Sequence, residues 1–453
     1  MPRLRSILVI VTLACLGLPA PDARAAYGDI TLVGFVELPL STRITNVWGY
    51  SDPFTGKQYA LVGDWFGGFW VVDTTDPANP FRVKHETAAA AFDLKVWGNY
   101  LYCCDGNNIG NDTRIFDITN PGNPLLVGAA LPSCHTISIS PRGLMFMEYV
   151  GVRMYDLTAG PEQPDSLYYI ANQGHDSTPR GDRLYDFNGG SLNIWDISNP
   201  SLPTLIGSDD DPSVLYYHSG DESPDHNYLY VCDEYAVTPT PDIVIYDISN
   251  PATPTRVGEI NDPTSRVHQL YVAGNLMFVG YYTAGFKVFD ISDPANPVFA
   301  DAYDTSPYQD ETGPDIYNGA YNAYPYTPGG IVYVADHPTG LFLFSVEGHT
   351  GQPTAVRGPA PSAAQPLRSY PNPFNPATTV EYRTVTRQNV ALHVYDVGGR
   401  LVRTLVDGTV PAGTHQVRWD GTDSLGRAVA SGVYYCRLEA GSVRTTTRMV
   451  LLK

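Results

Sequence analysis

One phrase recurs along this 453-residue chain and limits what it can fold into. It reads VVDTTDPANP at 71–80, IFDITNPGNP at 115–124, IWDISNPSLP at 194–203, IYDISNPATP at 245–254 and VFDISDPANP at 288–297. A degenerate copy, MYDLTAGPEQP, starts at Met154. With the Asp of each phrase as a ruler (Asp73, Asp117, Asp156, Asp196, Asp247, Asp290), the spacings are 44, 39, 40, 51 and 43 residues. A seventh copy, LFLFSVEG at 341–348, puts Ser345 in that place. A period near ~40 residues with several short strands per unit is the signature of a β-propeller.

One repeat shows how the residues dictate this. Asp93 to Val96 alternates, Gly98-Asn99 turns, and Tyr100 to Cys104 is a second strand. Thr113 to Ile118 is the third, NPGNP turns, and Leu125 to Leu131 is the fourth. Short apolar runs between Gly, Asn and Pro clusters predict a four-stranded meander. The phrase is then the third strand plus the turn to the fourth, with its Asp bonding turn amides and its prolines stopping the strand. Such a unit cannot bury both faces alone, so neighbours must stack around an axis. The last repeat lacks a fourth strand, while ITLVGFVELP (30–39) resembles the fourth strands LLVGAALP (125–132) and TRVGEI (255–260). The N-terminal strand is predicted to complete the last blade and close the ring, which leaves only short edges exposed.

Composition agrees. Tyr (31), Gly (42) and Pro (38) are plentiful and charged residues are 17%, which favours strands and turns, and no long stretch carries helical periodicity. The first 25 residues read as a secretory signal: Arg3 and Arg5, an apolar run from Ile7 to Leu18, then Ala23-Arg24-Ala25. That run is too short for a membrane span and no other segment approaches one, so the mature chain is expected to be exported with no transmembrane segment. From residue 358 onward 11 basic residues face 6 acidic ones, whereas residues 1–357 hold 17 against 41. An acidic body argues against nucleic acid or an anionic membrane as partner. Five cysteines remain after the signal (Cys103, Cys104, Cys134, Cys232, Cys436). An odd number is no disulfide framework, a bridge from Cys103 or Cys104 to Cys134 stays open, and without a CxxC pair a thiolate zinc site is not expected.

Residues 28–347 are thus expected to form a seven-bladed propeller. Residues 348–369, rich in Pro and Ala, form a linker, and 370–453 form a small Ig-like β-sandwich of about seven short strands. The fold class expected is all-β.

The phrase resembles the LVIVD repeat of exported bacterial propellers. Three segments make the arrangement similar to the choice-of-anchor B family: NVWGYSDPFTGKQYALVGD (46–64), HQLYVAGNLMFVGYYTAGFKVFDISD (268–293) and YNGAYNAYPYTPGGIVYVADHPTGLFLF (317–344). The likeness covers roughly residues 28–347 and brings no assigned activity. One departure is Ala88-Ala89-Ala90-Ala91-Phe92-Asp93, where His and Arg are expected before the Asp. The tail carries YPNPFNPATT, YDVGGRLVRTL, HQVRWDGTDSLGR, SGVYYCRLEAG and the terminal MVLLK. It resembles the Ig-like domain related to that of the flagellar hook-capping protein, and the type A sorting domains of type IX secretion. The resemblance implies secretion or cell-surface attachment at the outer membrane, with the secretion machinery as a partner.

Aligning the first strands on their turns puts His135, His175, His218 and His268 in register, with Thr45, Phe92 and Asn318 in that position elsewhere. First strands surround the axis of a propeller, so these rings should gather at one mouth. The second strands end on the same face with Asp64, Asp105, Asp233 and Asp336, and Glu148 and Asp186 lie nearby. Imidazoles with carboxylates suit Zn²⁺, Mn²⁺ or Fe²⁺, and carboxylates alone suit Ca²⁺, so a divalent metal, Zn²⁺ or Ca²⁺, is one reading. The other is structural: Asp caps turns, and an inner-strand His bonds a neighbouring blade. Tyr308, Tyr317, Tyr321, Tyr324 and Tyr326 crowd what reads as a loop before the second strand of the last blade. They offer stacking area for an extracellular protein or glycan. No GxSxG, HExxH, P-loop or GxGxxG with a following helix is present. Asp221-Glu222 lies near His218, but neighbours on a strand point to opposite faces. The chain reads as a non-catalytic binding protein, the alternative being a metal-dependent hydrolase or lyase on the histidine face.

Overall fold

The computed structural model describes residues 28–39, 43–106, 112–158, 160–236, 241–262, 265–306, 317–351, 367–384, 387–411, 413–440 and 443–453. The expected signal (1–25), most of the expected linker (352–366) and Tyr308 lie outside the described residues. Among the described residues every regular element is a strand, and no helix is long and apolar enough to cross a membrane.

The repeat folds as its pattern predicts. Asp93–Trp97, Tyr100–Cys104, Thr113–Asp117 and Leu125–Leu131 pair in sequence order as one antiparallel meander. Equivalent four-stranded sheets recur along residues 44–346. Their innermost strands are Ile44–Ser51, Asp93–Trp97, Thr136–Ile139, Asp176–Arg180, Tyr217–Glu222, Gln269–Ala273 and Gly319–Tyr324. Each packs on the next and Gly319–Tyr324 returns to Ile44–Ser51, so the sheets are propeller blades around one axis. The N-terminal strand Ile30–Glu37 pairs antiparallel with Gly340–Val346, Ile30 facing Val346 and Glu37 facing Gly340. It supplies the strand that the last repeat lacks. Apolar side chains fill the wedges between sheets, as where Phe69 meets Phe116 at 5.1 Å and Phe286 meets Phe344 at 5.3 Å between ring centres.

The repeated phrase does two structural jobs. Its Asp caps the turn: Oδ1 accepts the amide two residues on in every full copy and in the degenerate one. The distances are 3.0 Å at Asp73, 2.8 Å at Asp117, 2.7 Å at Asp156, 2.8 Å at Asp196, 2.9 Å at Asp247 and 2.8 Å at Asp290. Its proline turn also docks on the preceding sheet. A Cβ at Gly34 would lie 2.1 Å from Pro77 O, one at Gly128 2.1 Å from Glu162 O, and one at Gly207 2.2 Å from Pro251 O. Only glycine admits that approach. Tyr102 and Tyr230 donate their hydroxyls to the same turns, at Pro161 O (2.8 Å) and Pro294 O (2.9 Å). The phrase therefore clasps blade to blade along the rim.

Residues 367–453 build two sheets. Arg368–Tyr370, Thr378–Thr384 and Gly413–Trp419 form one; Leu401–Val410, Gln388–Asp396, Gly432–Ala440 and Val443–Leu451 form the other. One apolar cluster draws on both, with Val380, Tyr382 and Trp419 from the first and Leu392, Cys436, Leu438 and Met449 from the second.

Candidate functional site

The four histidines stand where the inner strands begin. His135, His175 and His268 donate their amides to Glu148 O (2.6 Å), Phe187 O (3.0 Å) and Gly280 O (2.9 Å) of the second strands. His218 occupies a bulge between Tyr217 and Ser219. Phe92 takes the same place in its blade, donating to Cys104 O at 2.7 Å, and Thr45 sits in a matching bulge. In the last blade that bulge holds Tyr321, not Asn318. The count from the turn is therefore three residues off in the last blade.

The rings form a continuous arc. Centroid distances are 4.9 Å for Trp65–Phe92, 4.8 Å for Phe92–His135, 4.4 Å for His135–His175, 4.6 Å for His175–His218, 4.6 Å for His218–His268 and 4.8 Å for His268–Tyr321. The arc floors a basin of about 760 Å³ whose walls include Tyr216, Tyr235, Tyr282, Tyr317, Asn188 and Glu234. Burial pushes His135 and His268 down to about 4. It holds His175 and His218 well below 6.5, and the neighbouring histidines add to the effect. At neutral pH the floor is four uncharged imidazoles. The backbone carbonyls of His218 and His268 act the other way on His175 and His218 respectively, but no bond of normal geometry forms. The Nδ1 atoms of His135, His175 and His218 are buried without a hydrogen-bond partner. His268 differs, with Nδ1 2.6 Å from Tyr321 O.

The carboxylates go elsewhere. Asp64 accepts from the Arg43 and Gly67 amides, Asp233 from those of Leu215, Tyr216 and Tyr235, and Asp336 from the Thr305 hydroxyl and the Thr339 amide. Asp105 takes the Ser133 hydroxyl at 2.5 Å, and its Oδ2 is buried without a partner. Glu148 takes the hydroxyls of Ser177 and Thr136, and Asp186 is held by Asn172, Asn193 and Trp195. The acid that meets the histidines is Glu234, one residue beyond Asp233. One ligand atom each from His218, Glu234 and His268 lies within 4.8 Å of the others. Burial raises Glu234 to about 7, offset in part by the Tyr282 hydroxyl, which donates to Oε1 at 2.6 Å, and by Arg266. Glu234, Tyr282 and Trp65 were not singled out in the sequence. The signal available for Glu234 was its place beside an in-register Asp at a strand end.

The tyrosine cluster is divided. Tyr321 and Tyr324 lie on the inner strand Gly319–Tyr324 rather than in a loop. Tyr317 and Tyr321 line the histidine basin, whereas Tyr324 and Tyr326 line a second cavity of about 370 Å³. That cavity is the opposite mouth, walled by later residues of the same inner strands, among them Trp48, Lys95, Asp176, Arg180, Gln269 and Tyr271. Its charges are mostly paired. Arg180 bonds Asp221 twice, at 2.9 and 2.6 Å, and Lys95 reaches Asp93 at 2.6 Å beneath the Trp48 ring. Glu222 takes the Tyr185 hydroxyl at 2.6 Å and meets His226. The five cysteines among the described residues are buried free thiols; Cys104 points at His135 O and Cys134 touches the Thr113 hydroxyl.

These features define a class: an all-β repeat protein of propeller blades, followed by a small Ig-like β domain. The comparisons carry that one step further. The LVIVD repeat matches residues 56–85, 88–131, 186–211, 225–262 and 266–305, and the FlgD Ig-like domain matches residues 377–443. No curated protein matches the chain. A protein from Lactobacillus plantarum is 12% identical, with 77% of this chain and 95% of that chain covered and a TM-score of 0.50. The Pan2 WD40 domain of Neurospora crassa is 12% identical over 72% of this chain and 97% of that chain, with a TM-score of 0.48. PorZ, a bacterial surface component of the type-IX secretion system of Porphyromonas gingivalis, is 15% identical over 88% of this chain, with a TM-score of 0.46. This chain spans 58% of PorZ's length. The Lactobacillus protein shares a fold at that identity, and nothing further is drawn from the three.

Proposed function

We propose that this chain is an exported binding protein: a seven-bladed propeller of the choice-of-anchor B kind that receives an extracellular glycan in its histidine mouth. Its working parts are a signal at 1–25, the propeller at 28–347, a linker at 348–369 and a sorting domain of the type IX, type A kind at 370–453. The closed cycle of inner strands supports the blade number, and the match of 377–443 to an Ig-like model supports the last domain. Export of the propeller to the surface or medium is expected to stop when 370–453 is deleted, as cell fractionation reads directly.

The observation that carries the reading is the basin. It joins uncharged imidazoles with Tyr rims that are still open: Tyr149, Tyr235 and Tyr317 are 38%, 42% and 40% exposed. Rings with hydrogen-bonding tips suit the alternating apolar and hydroxyl faces of a sugar. The mature full chain, probed on a glycan array and in pull-downs of surface proteins, is expected to retain a glycan. Affinity is expected to fall at least ~10-fold in Tyr235→Ala and in Tyr317→Ala, with thermal unfolding unchanged. Retention of a protein alone would overturn the ligand class, and binding indifferent to both substitutions would overturn the site. A second reading, a metal-dependent hydrolase or lyase, is favoured by the convergence of His218, Glu234 and His268 beside the basin. It requires turnover that stops on chelation.

A further inference from the structure

We propose that His218, Glu234 and His268 hold one divalent first-row transition ion in the wall of the basin. The inference rests on reading the histidine mouth as the binding face, and it adds an ion and a ligand set to that face.

The tautomer of His268 is fixed by its surroundings. A backbone carbonyl has no proton to give, so Nδ1, 2.6 Å from Tyr321 O, carries the ring's hydrogen. Its Nε2 is left as a lone pair. This is the usual arrangement of a metal-ligating histidine, where the far nitrogen is tied to a carbonyl. Glu234 is oriented the same way: Tyr282 holds Oε1 at 2.6 Å and leaves Oε2 facing His218. Tyr282 is itself fully buried and cannot swing to solvent.

The spacing of one pair favours a shared ion over a hydrogen bond. His218 Nε2 lies 3.6 Å from Glu234 Oε2, beyond hydrogen-bonding range. Two donors on one tetrahedral centre, each about 2.0–2.2 Å from it, stand about 3.4 Å apart. The pair is too long for the first role and close to the second. Two imidazoles and one carboxylate form a borderline donor set that suits Zn²⁺, Mn²⁺ or Fe²⁺ better than Ca²⁺. His135 and His175 continue the arc but lie outside the three-residue group. Asp64, Asp105, Asp233 and Asp336 also lie outside it.

The test uses the mature full chain, stripped by chelator and titrated with Zn²⁺ against a chromophoric competitor, with Co²⁺ absorption as a second readout. One equivalent is expected to bind. Glu234→Gln and His268→Ala are expected to weaken it at least about 100-fold, and Tyr282→Phe about 10-fold or more, since outer partners of ligands are worth that much. His135→Phe, which copies the residue at position 92, is expected to bind as the wild type does. Circular dichroism confirms folding, and Tyr282→Phe serves if a ligand variant does not fold. A folded wild type that takes up no Zn²⁺ overturns the proposal, as does uptake indifferent to both Glu234→Gln and Tyr282→Phe. Because the readout is the ion itself, either failure leaves the glycan result standing, and a failed glycan screen leaves the ion result standing.

Discussion

The two mouths of the propeller are built from the two ends of the same inner strands, yet they solve burial in opposite ways. At the far mouth most charges are matched: Arg180 with Asp221, Lys95 with Asp93. At the histidine mouth polar atoms are buried and left over, three Nδ1 atoms among them, around one carboxylate among the described residues, Glu234. A buried polar group without a partner costs stability, and such atoms are more numerous at the histidine mouth, although the far mouth also buries the Tyr324 hydroxyl without a partner. Cavity shape alone points the other way, since the far mouth is the smaller and more apolar of the two. The chemistry of the leftover atoms outweighs it.

That contrast can be broken by substitution. The largest effect is expected at the paired end. Arg180→Ala leaves Asp221 buried without its counter-ion and is expected to cost about 3 kcal/mol in urea unfolding, the lower end for a broken buried pair because Arg180 is itself partly exposed. A loss below about 1 kcal/mol would mean the far mouth is not held by its charges.

The next effect is a pH dependence at Asp176, which faces Lys95, Asp93, Glu148, Ser177 and Gln269. Burial raises its carboxyl to about 7, so the folded state favours the protonated form. That contribution is complete below the unfolded pKa near 4 and is lost as pH rises through about 7. Relative to Asp176→Asn, the wild type is expected to lose about 2 kcal/mol between pH 5 and pH 8. Parallel pH profiles for the two proteins would remove Asp176 as the exception among the far mouth's matched charges. The smallest effect on stability is expected at the histidine rim, where the Tyr235→Ala and Tyr317→Ala substitutions change binding and leave unfolding within about 0.5 kcal/mol.

How much of this was legible varied with the kind of residue that encodes it. The blades were, because turns demand particular residues: Asp to cap, Pro to stop, Gly where Pro77 or Pro251 closes in. The strand limits at Tyr100–Cys104 and Leu125–Leu131 and the return of Ile30–Glu37 follow from that chemistry. The histidine arc was legible because His recurs at one repeat position. The place of Tyr321 was not: Asn318, three residues earlier, took it in the count. The tyrosine cluster also misled. Tyr321 and Tyr324 are three residues apart, about 10 Å along a strand, enough to carry one ring to each cavity. Glu234 was hidden by Asp233, whose repeat register drew notice while its carboxylate was capping the Leu215 and Tyr216 amides.

The most direct measurement is a crystal of the mature chain soaked in Zn²⁺, with anomalous difference maps recorded on both sides of the zinc edge. The account predicts one strong peak between His218, Glu234 and His268, bordering the basin. A peak at the far mouth beside Asp176, or none at the histidine mouth at saturating Zn²⁺, would contradict it.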